Sequence, residues 1–136
     1  MELVVIDAQG GGLGRQLVTA LKRAYPQQPV TAIGTNSMAT SAMLRAGADR
    51  GATGENAVLA ACRRADIIAG PLGIVIADSL LGEITPAMAV AVGQSSGRRI
   101  LIPMNHCGNL VAGVADWNVS RLIQDAVAQI GALLEG

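Results

Sequence analysis

The chain has 136 residues, 51% hydrophobic and 15% charged, with ten basic and ten acidic side chains that cancel at neutral pH. That is material for one domain, 1–136, with a packed core, and it excludes disorder as the main state. Trp117 and Tyr25 are the only aromatic residues and Lys22 the only lysine; a base-stacking platform and a basic stripe are both missing, so nucleic acid is excluded as a partner.

Short β-branched runs alternate with longer Ala-rich segments of helical period, the pattern of βαβ units around a parallel sheet. Leu3 to Ile6 reads as the first strand. It passes into Gly10-Gly11-Gly12-Leu13-Gly14, after which Leu13, Leu17 and Leu21 recur every fourth residue along a helix ending near Tyr25-Pro26. Pro29 to Ile33 is the second strand and stops at Gly34-Thr35-Asn36. Ala39, Ala42, Met43 and Ala46 then mark a helix closed by Gly47. Arg50 to Asn56 reads as an irregular Gly/Thr-rich connection, followed by a helix from about Glu55 to Arg64 and a third strand, Asp66 to Ala69, that stops at Gly70-Pro71. Leu72 to Ile84 fits a buried strand, a short helix or an oligomer contact, and periodicity does not separate these. Thr85-Pro86 starts a helix that runs to about Ser95, because threonine caps free amides and proline at the first helical position loses no hydrogen bond. Arg99 to Pro103 is the fourth strand and Leu110 to Val114 the fifth. The repeat Val119, Leu122, Ile123, Ala126, Val127, Ile130, Leu133, Leu134 predicts a last amphipathic helix packed on the sheet. The expectation is a single Rossmann-like α/β domain of about five mostly parallel strands with helices on both faces.

The glycine-rich loop carries the strongest chemical signal, because it lies where a first strand hands over to a first helix. Glycines let the backbone turn tightly and approach a phosphate, while the helix start offers free N–H groups and the positive end of its dipole. In an open parallel sheet, loops leaving the carboxyl ends of the strands gather along one edge. The candidate binding residues are therefore Gln9, Gly10, Gly11, Gly12, Leu13, Gly14 and Arg15 from the first such loop, Thr35 and Asn36 from the second, and Gly70 and Pro71 from the third. The expected partner is a small nucleotide or other phosphate-bearing ligand. The competing reading is a turn that only packs the first helix close, in a non-catalytic oligomeric scaffold or regulatory subunit.

Ala8-Gln9-Gly10-Gly11-Gly12-Leu13-Gly14 resembles the G-x-x-x-G-x-G loop of short-chain dehydrogenases and reductases, with Gly12 and Gly14 matching and Ala8 in place of the first glycine. The resemblance implies NAD or NADP as cofactor, its pyrophosphate on the loop, with Arg15 near a phosphate as an NADP-type ligand favours. Three features depart from that family. Asp7 puts a negative charge beside the loop, Thr35-Asn36 stands where a ribose-binding carboxylate is usual, and there is no Tyr-x-x-x-Lys pair. No catalytic residue is therefore assigned. Over most of its length the chain resembles a family of short bacterial proteins known only as a domain of unknown function. The likeness rests on Asp7 to Gly12, Gly34-Thr35-Asn36 with Ala39-Thr40, Gly51 to Ala57, Gly70 to Ile74, Gly82 to Pro86 and Ile102 to Asn105.

Other candidates rank below the glycine loop. Gly51-Ala52-Thr53-Gly54-Glu55-Asn56 is a second possible anion or hydroxyl cradle, against the plainer reading that Thr53 caps the next helix and Glu55 complements its dipole. His106 and Cys107 are neighbours, but in an extended segment they point to opposite sides, so a nucleophile pair is not expected. The carboxylates Asp7, Asp78 and Glu83 are far apart in sequence and His106 is the only histidine, so no metal site is expected. Cys62 and Cys107 read as reduced thiols. Leu72 to Ile84 reads as a subunit contact in preference to a lid, with Asp78 at an interface or facing ligand. With no basic leader and no membrane-length apolar run, the sequence reads as a cytoplasmic protein, and its high apolar fraction predicts a homo-oligomer.

Overall fold

The computed structural model describes residues 1–104, 108–114 and 118–136. Strands β1 (Leu3–Asp7), β2 (Val30–Gly34), β3 (Arg50–Thr53), β4 (Ile67–Pro71) and β5 (Arg98–Ile102) form one sheet in the order β3-β2-β1-β4-β5. Every neighbouring pair is parallel. The chain builds outward from β1 in one direction and then returns to add β4 and β5 on the other side. The point where that order reverses lies between β1 and β4, which is where open α/β sheets leave a crevice at the carboxyl edge.

Helices α1 (Gly12–Ala24), α2 (Ser37–Arg45) and α5 (Val119–Glu135) cover one face, and α3 (Glu55–Arg64) and α4 (Pro86–Gln94) cover the other. The alternation within β1 builds both cores. Leu3 and Val5 pack with Leu17, Leu21, Met43 and Ile130, whereas Val4 and Ile6 pack with Val58, Cys62, Ile74 and Val92. All five residues of β1 and of β4 are buried, and apart from Asp7 at the end of β1 both strands are continuous apolar runs.

Two sequence expectations are corrected. Arg50 to Thr53 is a strand, paired in register with Thr31 to Gly34, although all its residues are exposed. As an edge strand with only small or polar side chains it has no apolar alternation to advertise it, and the neighbouring backbone of β2 decides its conformation. Leu110 to Val114 is not a strand. These residues lie in an exposed connection between β5 and α5, with Gly113 at φ 83° and Leu110 98% exposed. The expected number of strands is met by a different fifth member. The third strand also runs further than expected, through Gly70-Pro71 to pair Pro71 with Ile102. The ambiguous stretch resolves into a short 3-10 helix, Leu72–Val75, followed by tight turns. No helix among the described residues is long and apolar enough to cross a membrane.

Candidate functional site

β1 ends in Asp7, and the chain reverses through Gln9 and Gly11, both with positive φ (53° and 74°), before α1 begins at Gly12. Gly11 has to be glycine on two counts, since its φ is left-handed and a Cβ would meet the Ala39 Cα of α2 at 2.8 Å. Gly10 and Gly12 differ: a Cβ on either would find nothing within 4 Å, so these two present bare backbone to open space. Gly14 packs inward, where a Cβ would meet Met43 Sδ at 2.6 Å and Asp7 Cβ at 2.9 Å.

The Asp7 carboxylate is turned back onto this loop. Its Oδ1 accepts from the Ala8 amide at 2.8 Å and its Oδ2 from the Gly14 amide at 2.7 Å, so it serves as the cap that α1 lacks from its own N-cap residue. Burial pushes the Asp7 carboxyl above its usual range; the Gly14 and Ala8 amides pull it back, and Glu83 nearby adds to the upward push. One of the three first-turn amides is thereby occupied. The Gly12 and Leu13 N–H groups have no acceptor among the described residues.

A cavity of about 250 Å³ opens against this corner. It is lined by Asp7 to Leu13 and Gln16 on one side and by Pro71, Leu80, Met104 and Val119 on the other. Of the candidate residues, Gln9, Gly10, Gly11, Gly12, Leu13 and Pro71 thus come together around one cavity. Gly14 supports it from behind. Gly70 is pressed against the Ile6 carbonyl, leaving no room for a side chain. Arg15 points elsewhere, into a groove between α1 and α5 with Thr19, Arg23 and Ser120. Thr35 and Asn36 do not line the cavity; they are joined to Gln9, which does, through a residue that sequence reasoning gave no binding role.

That residue is Glu83. Its Oε1 accepts from the Thr35 hydroxyl at 2.6 Å, the Gln9 amide at 2.9 Å and the Asn36 side-chain amide at 2.9 Å. Partial burial pushes the Glu83 carboxyl up, and the three donors from Thr35, Gln9 and Asn36 together outweigh that and hold it below its usual range. Asn36 completes the knot by donating to the Gln9 carbonyl and capping α2 through Ala39. A signal for Glu83 was present in the sequence. Thr85-Pro86 marks a helix start, and the residues before the helix of a βαβ unit lie at the carboxyl edge of the sheet.

The segment holding Glu83 is strained. Asp78, Leu80 and Leu81 have φ of 64°, 55° and 58°, followed by Gly82 at 84°, and leucine is a poor occupant of that region. The buried Ser79 hydroxyl anchors the segment by donating to the Gly73 carbonyl, and the Asp78 amide donates to Ile84 at 2.7 Å. This geometry directs Leu80 into the cavity and leaves Leu81 94% exposed. Asp78 is exposed.

The second cradle resolves differently. Gly54, not Thr53, occupies the cap position of α3, and the Thr53 hydroxyl pairs with that of Thr40 at 2.7 Å. Glu55 sits in the first turn of α3 as expected and accepts from the Thr85 hydroxyl. Among the described residues, no three His, Cys, Asp or Glu side chains gather as a metal site would require. The buried Cys62 thiol is pushed up to about 11 by desolvation, which keeps it protonated at neutral pH. His106 and Cys107 lie outside the described residues.

Among solved structures, the chain is similar to a dodecameric FMN-dependent Ubix-like decarboxylase from Escherichia coli O157:H7. The TM-score is 0.48 at 19% identity, covering 96% of this chain and 76% of that one. Likeness at that level bears on neither ligand nor assembly. No curated protein matches the sequence. The family model described as a domain of unknown function, DUF3842, matches residues 2–135, and the chain belongs to that family.

Proposed function

We propose that this protein binds a small phosphate-bearing ligand, a nucleotide of the NAD(P) type or a related adenine nucleotide, in the crevice between the loops that follow β1 and β4. The observation that carries the reading is the pair of amides at Gly12 and Leu13 that have no acceptor among the described residues, beside a cavity onto which Gly10 and Gly12 present bare backbone. Amides at a helix start bind anions through their N–H groups and the local dipole. A cavity of about 250 Å³ lies below the roughly 300–1,000 Å³ usual for a whole drug-sized ligand. It suits a phosphate and its adjoining group, with the remainder of the ligand lying outside it toward Thr35 and Asn36. Asp7 opposes an anion, but its oxygens face the Ala8 and Gly14 amides, which offset part of its charge locally.

Gly12→Val tests this, because nothing lies within 4 Å of a Cβ at this position. Wild-type protein should gain thermal stability from at least one of NAD, NADP, AMP, ATP or inorganic phosphate. The variant should melt as the free wild type does and lose that response. A wild type unmoved by every member at millimolar concentration overturns the proposal.

The second reading is the homo-oligomeric scaffold, and α4 favours it. Its sequence Pro86-Ala-Met-Ala-Val-Ala-Val-Gly-Gln94 is apolar around the whole helix, with Met88, Ala89 and Val92 buried while Ala87, Val90 and Gly93 remain exposed. A helix apolar on all sides is ordinarily covered on all sides.

A further inference from the structure

β2 ends at Gly34, and the Thr35-Asn36 that follow lack the acidic side chain that in open α/β sheets accepts a ribose hydroxyl at this corner. Glu83 supplies a carboxylate there from another part of the chain, the connection between β4 and α4. We infer that Glu83 reads the sugar of the ligand. In this inference, which rests on the nucleotide reading above, its Oε2 accepts the hydroxyls of an unphosphorylated ribose, and the site rejects a ribose bearing a 2′-phosphate.

Three observations support this. The first is orientation: three donors from Gln9, Thr35 and Asn36 converge on Oε1 alone, fixing the carboxylate, while Oε2 has no partner among the described residues. Glu83 is only partly buried, and its partner Gln9 lines the cavity. Second, the anchoring groups span both loops that an adenosine would cross, since Gln9 belongs to the glycine loop after β1 and Thr35-Asn36 to the loop after β2. Third, among the described residues the side-chain charge around the corner has one sign. Asp7 lines the cavity, Glu83 accepts from the amide of the lining residue Gln9, and no described lining residue is a lysine or arginine. Arg15, the cation that an NADP-type ligand would need, lies in the groove between α1 and α5. A 2′-phosphate adds about −1.5 to −2 charge and would sit against a carboxylate held ionised by its three donors. A ribose hydroxyl there donates a charge-assisted hydrogen bond instead.

Titration calorimetry of the full chain with NAD, NADP, AMP, 2′-deoxy-AMP and adenosine 2′,5′-bisphosphate tests the assignment. NAD is expected to bind at least about tenfold more tightly than NADP, and AMP to exceed both its 2′-deoxy and its 2′-phosphorylated analogue by a similar factor. Glu83→Gln should shrink the NAD to NADP ratio toward unity. A purely structural Glu83 would weaken all ligands alike and leave the ratio unchanged. Equal binding of NAD and NADP by the wild type, or a preference for NADP, overturns this inference and leaves the nucleotide reading standing. Absence of binding by every probe overturns both. Should the variant fail to fold, the wild-type ratios decide.

Discussion

Asp7 shows how much a single side chain settles here. It is 5% exposed at the end of a central strand, and its two oxygens take the Ala8 and Gly14 amides. Because burial raises its pKa, the folded state holds the proton more tightly than the unfolded chain does. The stability from this group is therefore complete below the ordinary carboxyl value of 3.8 and is lost as pH rises through the folded value above it. Glu83 has the opposite sign. Its lowered pKa gives stability that is present above the usual 4.5 and is lost as pH falls through the folded value. Asp7→Asn separates the two. The amide can satisfy one of the two N–H donors but turns its own NH₂ toward the other, so the variant should be less stable by about 1–3 kcal/mol in acid. That gap should narrow as pH rises past 3.8 into the neutral range, since the variant has no carboxylate to ionise. Urea unfolding at several pH values measures it, and a gap that widens with pH would show that the ionised form is the favoured one.

At the scale of elements, the connection between β4 and α4 is the least regular part of the chain and the one that shapes the site. It places two leucines in succession in left-handed backbone, each costing roughly 1–2 kcal/mol relative to ordinary conformations. Leu80 recovers part of that by burial in the cavity wall, whereas Leu81 at 94% exposure recovers nothing. Asparagine tolerates left-handed backbone far better than leucine. Leu81→Asn should therefore raise stability by about 0.5–1 kcal/mol in urea unfolding, and a loss would mean that Leu81 is covered by another chain. The regular elements were legible for physical reasons. α1 and α5 bury one stripe each, so Leu13, Leu17 and Leu21, and Leu122 through Leu134, announce them by period. α4 announces itself by its caps, with the Thr85 hydroxyl accepting from the Met88 amide and Pro86 at the first position. β3 could not be read, because Arg50-Gly51-Ala52-Thr53 is a strand only by virtue of its pairing with β2.

For the molecule as a whole, the order β3-β2-β1-β4-β5 puts the loops after β1 and β4 side by side, so residues more than sixty positions apart in sequence share one cavity. The same architecture leaves α4 as an outer helix with an apolar exposed surface. If that surface joins copies of the chain, light scattering at micromolar concentration should give a multiple of the 13.8 kDa chain mass, and Val90→Glu should return it to the monomer. A wild-type monomer would dismiss the scaffold reading. The sequence by itself determined the α/β alternation, the position of the glycine loop and the sites of most helix ends. These depend on periodicity, capping and backbone freedom within a few residues of one another. Tertiary structure alone decided that Arg15 faces away from the cavity, that Asp7 caps α1 and that Glu83 ties Gln9 to Thr35 and Asn36. Those facts depend on which face of a helix meets the sheet and on where a long connection folds back, and contacts across 74 residues, as between Gln9 and Glu83, leave no local pattern to read.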